Sequence, residues 1–161
     1  MRSVTVGTCL ALAGSLAALP RPLLAQKAAD PCSLLTAQDV SGVLGIKSLP
    51  GRPWLGTSKA SCFYSADTTF DLGARTATLM ILPPGGFDSQ KAMPGNGPLA
   101  GKSAGVGDDS YYMSYGHYAK LGVRKGDHAF TITVTAGPGN GTPEQVAELE
   151  KALAKEALAK L

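Results

Sequence analysis

Residues that commonly bind metals or carry out catalysis are scarce in this sequence. Its 161 residues include only two histidines, three cysteines and one tryptophan. A structural zinc site needs about four Cys or His ligands at close spacing, and the chain contains no densely alternating acidic residues of the kind that form a calcium loop. We therefore expect no metal site and no cofactor.

The chain also lacks a strong excess of charge of either sign. Its 15 Lys and Arg residues face 12 Asp and Glu residues, and Arg2 and Arg21 both fall within the first 25 residues. The remainder is nearly neutral, so no basic surface of the kind that attracts nucleic acid or anionic lipid is expected. Nucleic acid is thus excluded as an expected partner.

No segment after residue 25 is apolar enough to span a bilayer, but the N-terminus contains a short apolar run. Arg2 precedes an uncharged apolar run over residues 4–19, and a small-residue cleavage site ends at Ala25. The run is too short and too often interrupted to predict a membrane anchor. We expect residues 1–25 to be a cleaved secretory signal and residues 26–161 to form one periplasmic or secreted domain without a transmembrane segment.

Cleavage would leave two cysteines, Cys32 and Cys62, because Cys9 lies inside the signal. An even number of cysteines in an exported chain predicts a disulfide. The alternatives for Cys32 have less support. No lipobox of small residues precedes it, no further metal ligands stand at close spacing, and a catalytic thiol would need a nearby base, which the sequence alone does not place. We predict a disulfide between Cys32 and Cys62, and no lipid anchor.

Local patterns predict helices at both ends of this domain and strands between them. Thr36 caps a helix that ends at Gly45, and Thr142 caps an amphipathic helix that begins with Pro143. A short middle helix is expected after Phe87. Strands are expected at residues 46–49, 61–66, 74–82 and in the region 111–135. We predict an α+β domain: a mainly antiparallel sheet of about five to six strands with an N-terminal, a middle and a C-terminal helix packed on it.

The alternation of apolar residues predicts a register for the last hairpin. If residues 125–126 form a two-residue turn, Leu121 faces Phe130 and all the apolar side chains lie on one face of the sheet. The same register places Arg124 opposite Asp127. We therefore expect this hairpin to supply a large part of the core.

The stretch at residues 111–118 holds four of the five tyrosines. With a turn at residues 115–116, Tyr112 joins the core, while Tyr111 and its neighbours occupy the other face of the sheet. An exposed group of Tyr, Met and Arg is typical of a recognition surface; alternatively, a loop or short helix covers that face. The predicted surface, with Trp54 as a second contact, consists of Trp54, Tyr111, Met113, Tyr115, His117, Tyr118, Lys120 and Arg124.

Several short motifs resemble a family of small exported bacterial proteins. The chain has an Asp-Pro-Cys-x-Leu-Leu-Thr opening at residues 30–36, Cys-Phe-Tyr at 62–64, Gly-Val-Gly-Asp at 105–108 before two tyrosines, and Val-Arg-Lys-Gly-Asp at 123–127. These motifs are similar to those of lipoprotein-like domains of unknown function. The resemblance implies a PsbP-like α+β fold with a cysteine pair and no established activity.

These observations favour a non-enzymatic exported domain that binds a protein or another component of the cell envelope. One alternative is a small hydrolase that uses His117 or His128 with Asp108 or Asp109, although no nucleophile-elbow pattern accompanies them. Another alternative is a carrier of a small ligand. We identify no catalytic residue from the sequence.

Overall fold

The computed structural model describes residues 30–54, 58–68, 73–115, 118–137 and 141–161. The predicted signal segment lies outside these ranges. Within them the chain has the α+β fold predicted from its sequence. In chain order the elements are α1 (Pro31–Leu34), α2 (Ala37–Leu44), β1 (Arg52–Trp54), β2 (Ser58–Tyr64), β3 (Thr76–Ile81), α3 (Gly86–Lys91), β4 (Asp109–Tyr115), β5 (Tyr118–Lys125), β6 (His128–Thr135) and α4 (Pro143–Leu158).

The two longer helices begin where the sequence predicts. The Asp39 N–H donates to Thr36 Oγ1 at 3.1 Å, and the Thr36 N–H donates to the Asp39 carboxylate at 2.7 Å, which completes a capping box at the start of α2. Gly45 ends that helix in the left-handed conformation, with φ at 66°. Thr142 and Gln145 form a second capping box at the start of α4.

The strands form one antiparallel sheet in the order β1-β2-β3-β6-β5-β4. Leu79, Leu121 and Ile132 lie at paired positions of three adjacent strands and therefore share a face. We call this the helix face, because α1 and α4 pack on it and α2 packs on α4. Tyr112 lies in the same core, as predicted, and its hydroxyl donates to the Ala147 carbonyl of α4 at 3.0 Å.

The opposite face of the sheet carries a second, smaller core beneath α3. Phe87 of α3 packs there with Leu82, Tyr111 and Met113. The rings of Phe87 and Tyr111 meet edge to face, with centroids 5.0 Å apart. A Cβ at Gly122 would collide with the Tyr111 ring, so the ring can pack this closely only over a glycine.

A disulfide joins Cys32 of α1 to Cys62 of β2, with the Cα atoms 5.1 Å apart. The predicted pairing is confirmed. Close to it, the Tyr64 hydroxyl donates to the Leu35 carbonyl at 2.8 Å. The covalent bond and this buried hydrogen bond together fix the start of the domain on the helix face.

Both edges of the sheet are protected against pairing with another strand. Alongside β4, the Gly- and Pro-rich residues 94–102 take up its hydrogen bonds: the Ser114 N–H donates to the Pro94 carbonyl at 2.8 Å, and the Gly97 N–H donates to the Ser114 carbonyl at 2.9 Å. At the other edge, β1 has only three residues and contains Pro53. A short edge strand with proline offers few donors to a further strand.

One predicted strand is wrong. Residues 46–49 form no strand, and the first strand is Arg52–Trp54, where no strand was predicted. The Leu49 N–H still donates to the Ser65 carbonyl at 2.8 Å, just beyond the β1–β2 pairing. A three-residue edge strand is too short to show the alternation on which the prediction relied.

The predicted register of the β5–β6 hairpin is wrong by two residues. Leu121 pairs with Ile132 instead of Phe130, because residues 126–127 form the turn, with Gly126 in the left-handed conformation at φ 56°. A shift of two residues leaves every side chain on its predicted face. The predicted apolar face is therefore confirmed, although the pairs across it differ.

The β4–β5 hairpin shows the same shift. Tyr115, predicted to lie in the turn, instead pairs with Tyr118, and Met113 pairs with Lys120. The shift places these two tyrosines directly opposite each other at the end of the hairpin.

We predict that loss of the disulfide destabilises the fold substantially. The bond closes a separation of 30 residues, which in the chain-entropy treatment corresponds to about 3.5 kcal/mol of unfolding free energy. Urea denaturation of a Cys32→Ser/Cys62→Ser variant should show a loss of this size. The reduced wild-type protein is the matched control and should unfold at the same midpoint; an unchanged midpoint in both would contradict the prediction.

Candidate functional site

The end of the β4–β5 hairpin exposes a group of large apolar side chains. Tyr115 and Tyr118 are cross-strand neighbours and are 48% and 44% exposed. The Tyr115 hydroxyl donates to the Met93 carbonyl at 3.4 Å, and Met93 is itself 59% exposed. Lys120 lies two residues from Tyr118 on the same face of β5. We call Met93, Tyr115, Tyr118 and Lys120 the tyrosine surface.

Two members of this surface are held by the sheet beside them. Burial raises the pKa of Tyr118, whose hydroxyl is hydrogen-bonded to the Thr133 side chain. Burial lowers the pKa of Lys120, which is half-buried. These two side chains are therefore partly ordered before any partner arrives. His117, predicted to join them, lies outside the described residues.

Tyr111 and Met113 were predicted at this surface, but both are buried, at 0% and 9% exposure. They lie on the predicted face of the sheet, where α3 covers them through Phe87. Burial raises the pKa of Tyr111 to about 12. The alternative prediction, that a short helix covers this face of the sheet, is therefore correct for Tyr111 and Met113. Gly122 was the available signal, because a glycine inside a strand often marks a close approach by another group.

Arg124 was predicted to pair with Asp127, and this pairing is wrong. Its guanidinium contacts Asp88 at 3.0 Å and Asp109 at 3.2 Å and lies over the Phe87 ring, 4.6 Å from the centroid. A hydrogen bond from Lys91 lowers the pKa of Asp109. Arg124 therefore helps to hold α3 on the sheet and does not belong to the tyrosine surface.

Trp54 lies far from the tyrosine surface within the sheet. It belongs to β1, whereas Tyr115 belongs to β4, at the opposite edge. The Trp54 ring packs against Phe63, with centroids 4.8 Å apart, and Arg52 lies over that same Phe63 ring. The structure does not join Trp54 to the other predicted contacts.

Glu150 is a buried ionisable residue that was not predicted from the sequence. It is 0% exposed, in the middle of the buried stripe of α4. Pairing between β5 and β6 runs only as far as Leu121 and Ile132, and beyond that point the Val134 N–H donates to Glu150 Oε1 at 3.1 Å. A helix carboxylate thus replaces a neighbouring strand as the acceptor. The sequence did contain one signal for this burial: Glu150 follows Val146 by four residues, which places both side chains on the same buried stripe of the helix.

The other oxygen of the Glu150 carboxyl, Oε2, is buried without a hydrogen-bond partner among the described residues. Burial raises the pKa of Glu150 to about 8, although the Val134 hydrogen bond and the charge of Lys120 act in the opposite direction. Glu150 is therefore mostly protonated at neutral pH. It is a proton-binding group inside the core.

A cleft of about 740 Å³ opens beside the turn of the β5–β6 hairpin, at the end of β5 opposite to the tyrosine surface. Its floor is mainly apolar, and four polar or charged residues stand among its lining. The lining residues are Ala60, Ile81, Leu82, Pro83, Pro84, Gly85, Phe87, Asp88, Arg124, Gly126, Asp127, His128, Ala129, Phe130 and Leu161.

The cleft does not assemble the predicted hydrolase residues. It contains His128, but neither Asp108 nor Asp109 lines it, and no hydroxyl or thiol side chain of the described residues does. The Asp108 carboxylate accepts the Gly126 N–H at 2.7 Å, and Asp109 is ion-paired with Lys91 at 2.7 Å. Both aspartates are thus engaged in holding turns and helices. A nucleophilic mechanism needs a base beside a hydroxyl or thiol.

No group of three or more His, Cys, Asp or Glu side chains is placed to hold a metal ion in the part of the chain that the structure describes. None of the helices seen there is long and apolar enough to cross a membrane.

Comparison with known proteins gives no relative for this chain: no family model, no curated protein and no solved structure matches it. The resemblance to lipoprotein-like domains therefore stays a prediction. Any function must be argued from the geometry above.

We predict that Glu150 makes the protein less stable as the pH rises. Its pKa is about 8 in the folded protein against an ordinary value of 4.5, so between these values the folded state binds more protons than the unfolded chain. Stability is then fully present below about pH 4.5 and is lost as the pH rises through about 8, by up to about 1.4 kcal/mol per pH unit.

Thermal unfolding between pH 5 and 9 tests this. A Glu150→Gln variant should lose the fall in stability, because glutamine cannot ionise. Glu148→Gln, an exposed position two residues away, should retain it. Parallel profiles for the wild type and Glu150→Gln would show the prediction to be wrong.

Proposed function

We propose that this protein is an exported, non-enzymatic domain that binds a protein or another component of the cell envelope through the tyrosine surface. One observation carries the proposal. Of the four large apolar side chains exposed among the described residues, Met93, Tyr115 and Tyr118 lie together, and the fourth is Leu161. Tyrosine and methionine are enriched in protein interfaces, and tyrosine is frequent among the residues that dominate binding energy.

The rest of the fold supports this choice of surface. The edges of the sheet are blocked by residues 94–102 and by the short strand β1, which disfavours recognition by strand addition. Helices also cover both faces of the sheet, α4 on one side and α3 on the other. The two tyrosines keep their rings exposed within an otherwise well-covered sheet.

The cysteine pair supports export. Stable disulfides persist in oxidising compartments such as the periplasm and the extracellular space. The bond between Cys32 and Cys62 is consistent with the signal segment inferred from residues 1–25.

Capture from an extract of the source cell's envelope tests the binding function. We expect the immobilised protein to retain a component that a Tyr115→Thr/Tyr118→Thr variant retains about tenfold less well, since interface tyrosines often contribute more than 1 kcal/mol each. Threonine keeps the strand propensity of both positions, and circular dichroism checks the fold.

The matched control is Leu161→Thr, which removes the fourth exposed apolar side chain, in the cleft at the other end of the hairpin. It should bind like the wild type. Equal capture by all three proteins, or capture by none, would contradict a role for the tyrosine surface.

The cleft supports a second candidate, a carrier of a small apolar ligand. Its volume of about 740 Å³ and its mainly apolar floor fall within the range of ligand sites. On this hypothesis the environment-sensitive dye 1-N-phenylnaphthylamine should bind and brighten. An Ala60→Trp change at the exposed rim should reduce binding several-fold by filling the mouth, whereas Lys59→Trp, which points to the other side of β2, should not. No dye binding by the wild type would rule the carrier hypothesis out.

A further inference from the structure

The short helix α3 covers only one end of the sheet face that lies opposite the helix face. It packs on β4, β5 and β6 around Tyr111, Arg124 and Ala129. Further along the strands, side chains on the same face remain half-buried or exposed. We call six of them the open band: Arg52, Trp54, Thr78, Tyr118, Lys120 and Thr133.

A continuous series of contacts runs across the open band. The Trp54 ring packs against Phe63, Phe63 pairs with Thr78, and Thr78 pairs with Thr133. Paired residues of antiparallel strands present their side chains on the same face. The Thr133 side chain is in turn hydrogen-bonded to Tyr118. Trp54 and the tyrosine surface, although far apart, thus lie at the two ends of one row.

The length of this row indicates the size of the molecule that it can hold. Four strand spacings separate β1 from β5 in the sheet, and at the usual spacing they span about 19 Å. This is longer than a single sugar or amino acid, so the row fits a chain molecule that lies across the strands. Such a chain would rest on the face of the sheet, because both edges are blocked.

The chemistry of the row favours a polysaccharide over a polypeptide. A sugar ring presents an apolar face of C–H groups, which packs on the negative face of an aromatic ring, and a rim of hydroxyl groups. The hydroxyls of Thr78 and Thr133 both donate and accept hydrogen bonds, as sugar hydroxyls do. Peptides that do not add a strand are recognised through grooves or pockets for their side chains, whereas two adjacent threonines form a shallow polar surface.

The charges on this face favour an acidic partner. Arg52 lies over an aromatic ring of β2, and Lys59 and Lys120 alternate with core residues of β2 and β5, so all three cations lie on this side of the sheet. Among the described strand residues, the carboxylate on the same side is Asp109, which is ion-paired with Lys91 of α3. The open band is therefore complementary to a chain that carries carboxylates.

We propose that the open band binds an acidic polysaccharide of the cell envelope, laid across the strands. Its sugar rings stack on Tyr118 and Trp54, a sugar hydroxyl bonds with Thr78, and a carboxylate pairs with Lys120. The proposal rests on the proposed binding function. It names the class of partner and extends the contact from the tyrosine surface to Trp54.

Binding to the polysaccharide fraction of the source cell's envelope tests the proposal. The fraction is freed of protein by protease digestion, biotinylated at its reducing ends and immobilised on a streptavidin sensor. The purified, disulfide-bonded protein should bind to it. Amidation of the carboxylates with carbodiimide and ethanolamine should weaken binding about fivefold, because it removes the negative charge and keeps the sugar rings.

Two variants at the β1 and β3 side of the row separate the open band from the tyrosine surface. Trp54→Thr should weaken binding about fivefold, as expected for an aromatic contact residue. Thr78→Val keeps the branched shape, removes one hydroxyl and should weaken binding about threefold. It also keeps the test valid if Trp54→Thr fails to fold, which circular dichroism would show.

The charge contact is tested by Lys120→Gln, which should weaken binding about threefold. Its matched control is Lys155→Gln, which removes an exposed cation of α4, on the other side of the sheet, and should bind like the wild type. Three results would each overturn the proposal: no binding to the untreated fraction, equal binding after amidation, or wild-type binding by a folded Thr78→Val variant.

The two hypotheses fail in different ways. If the envelope extract yields a component that depends on Tyr115 and Tyr118 but is destroyed by protease, the binding function stands and the polysaccharide is the wrong partner. If neither the extract nor the polysaccharide fraction is bound, the binding function itself is wrong, and the polysaccharide proposal falls with it.

Discussion

The point at which β5 and β6 stop pairing determines much of this structure. Beyond Leu121 and Ile132, the Val134 N–H needs a new acceptor, because a buried donor without one costs about 1–3 kcal/mol. Glu150 of α4 provides it. One hydrogen bond therefore ties the C-terminal helix to the sheet beside the exposed end of the β4–β5 hairpin.

The two faces of the sheet are covered by different physical means. On the helix face, α1 and α4 bury a continuous apolar core. On the opposite face, α3 has only six residues, too few for a stable isolated helix, and it depends on Phe87 and on the ion pairs of Arg124 and Lys91. Tyr115 and Tyr118, at the end of the hairpin, remain exposed beyond this cover.

Sequence patterns predicted which face of the sheet each side chain occupies better than they predicted which residues pair across adjacent strands. Alternation assigned Leu121 and Ile132 to the core correctly, because a two-residue shift preserves the face of every side chain. For the same reason alternation could not detect the shift. The register depends on which residues form the turn, and here the turn lies at residues 126–127, one position later than the predicted 125–126, with Gly126 in the left-handed conformation.

The candidate site was predicted only in part, because burial depends on contacts distant in sequence. Tyr115, Tyr118 and Lys120 lie together, but Tyr111 is covered by Phe87, a residue from another element. The burial of Glu150 was not predicted, since a charged residue favours the surface unless a partner is available. The Val134 N–H that holds it is a backbone group, which no side-chain pattern reveals.

The identity of residue 150 bears on why the core contains an ionisable group at all. A glutamine would accept the same Val134 hydrogen bond at any pH, without the cost of burying a carboxyl group that can ionise. What glutamate adds is a proton that can leave, and its loss puts a negative charge inside the core beside the Val134 N–H. Stability alone would favour the amide above neutral pH, since burial has raised the pKa of this carboxyl to about 8. The carboxyl therefore makes the stability of this part of the core depend on pH, whereas an amide would hold the Val134 N–H equally well at any pH.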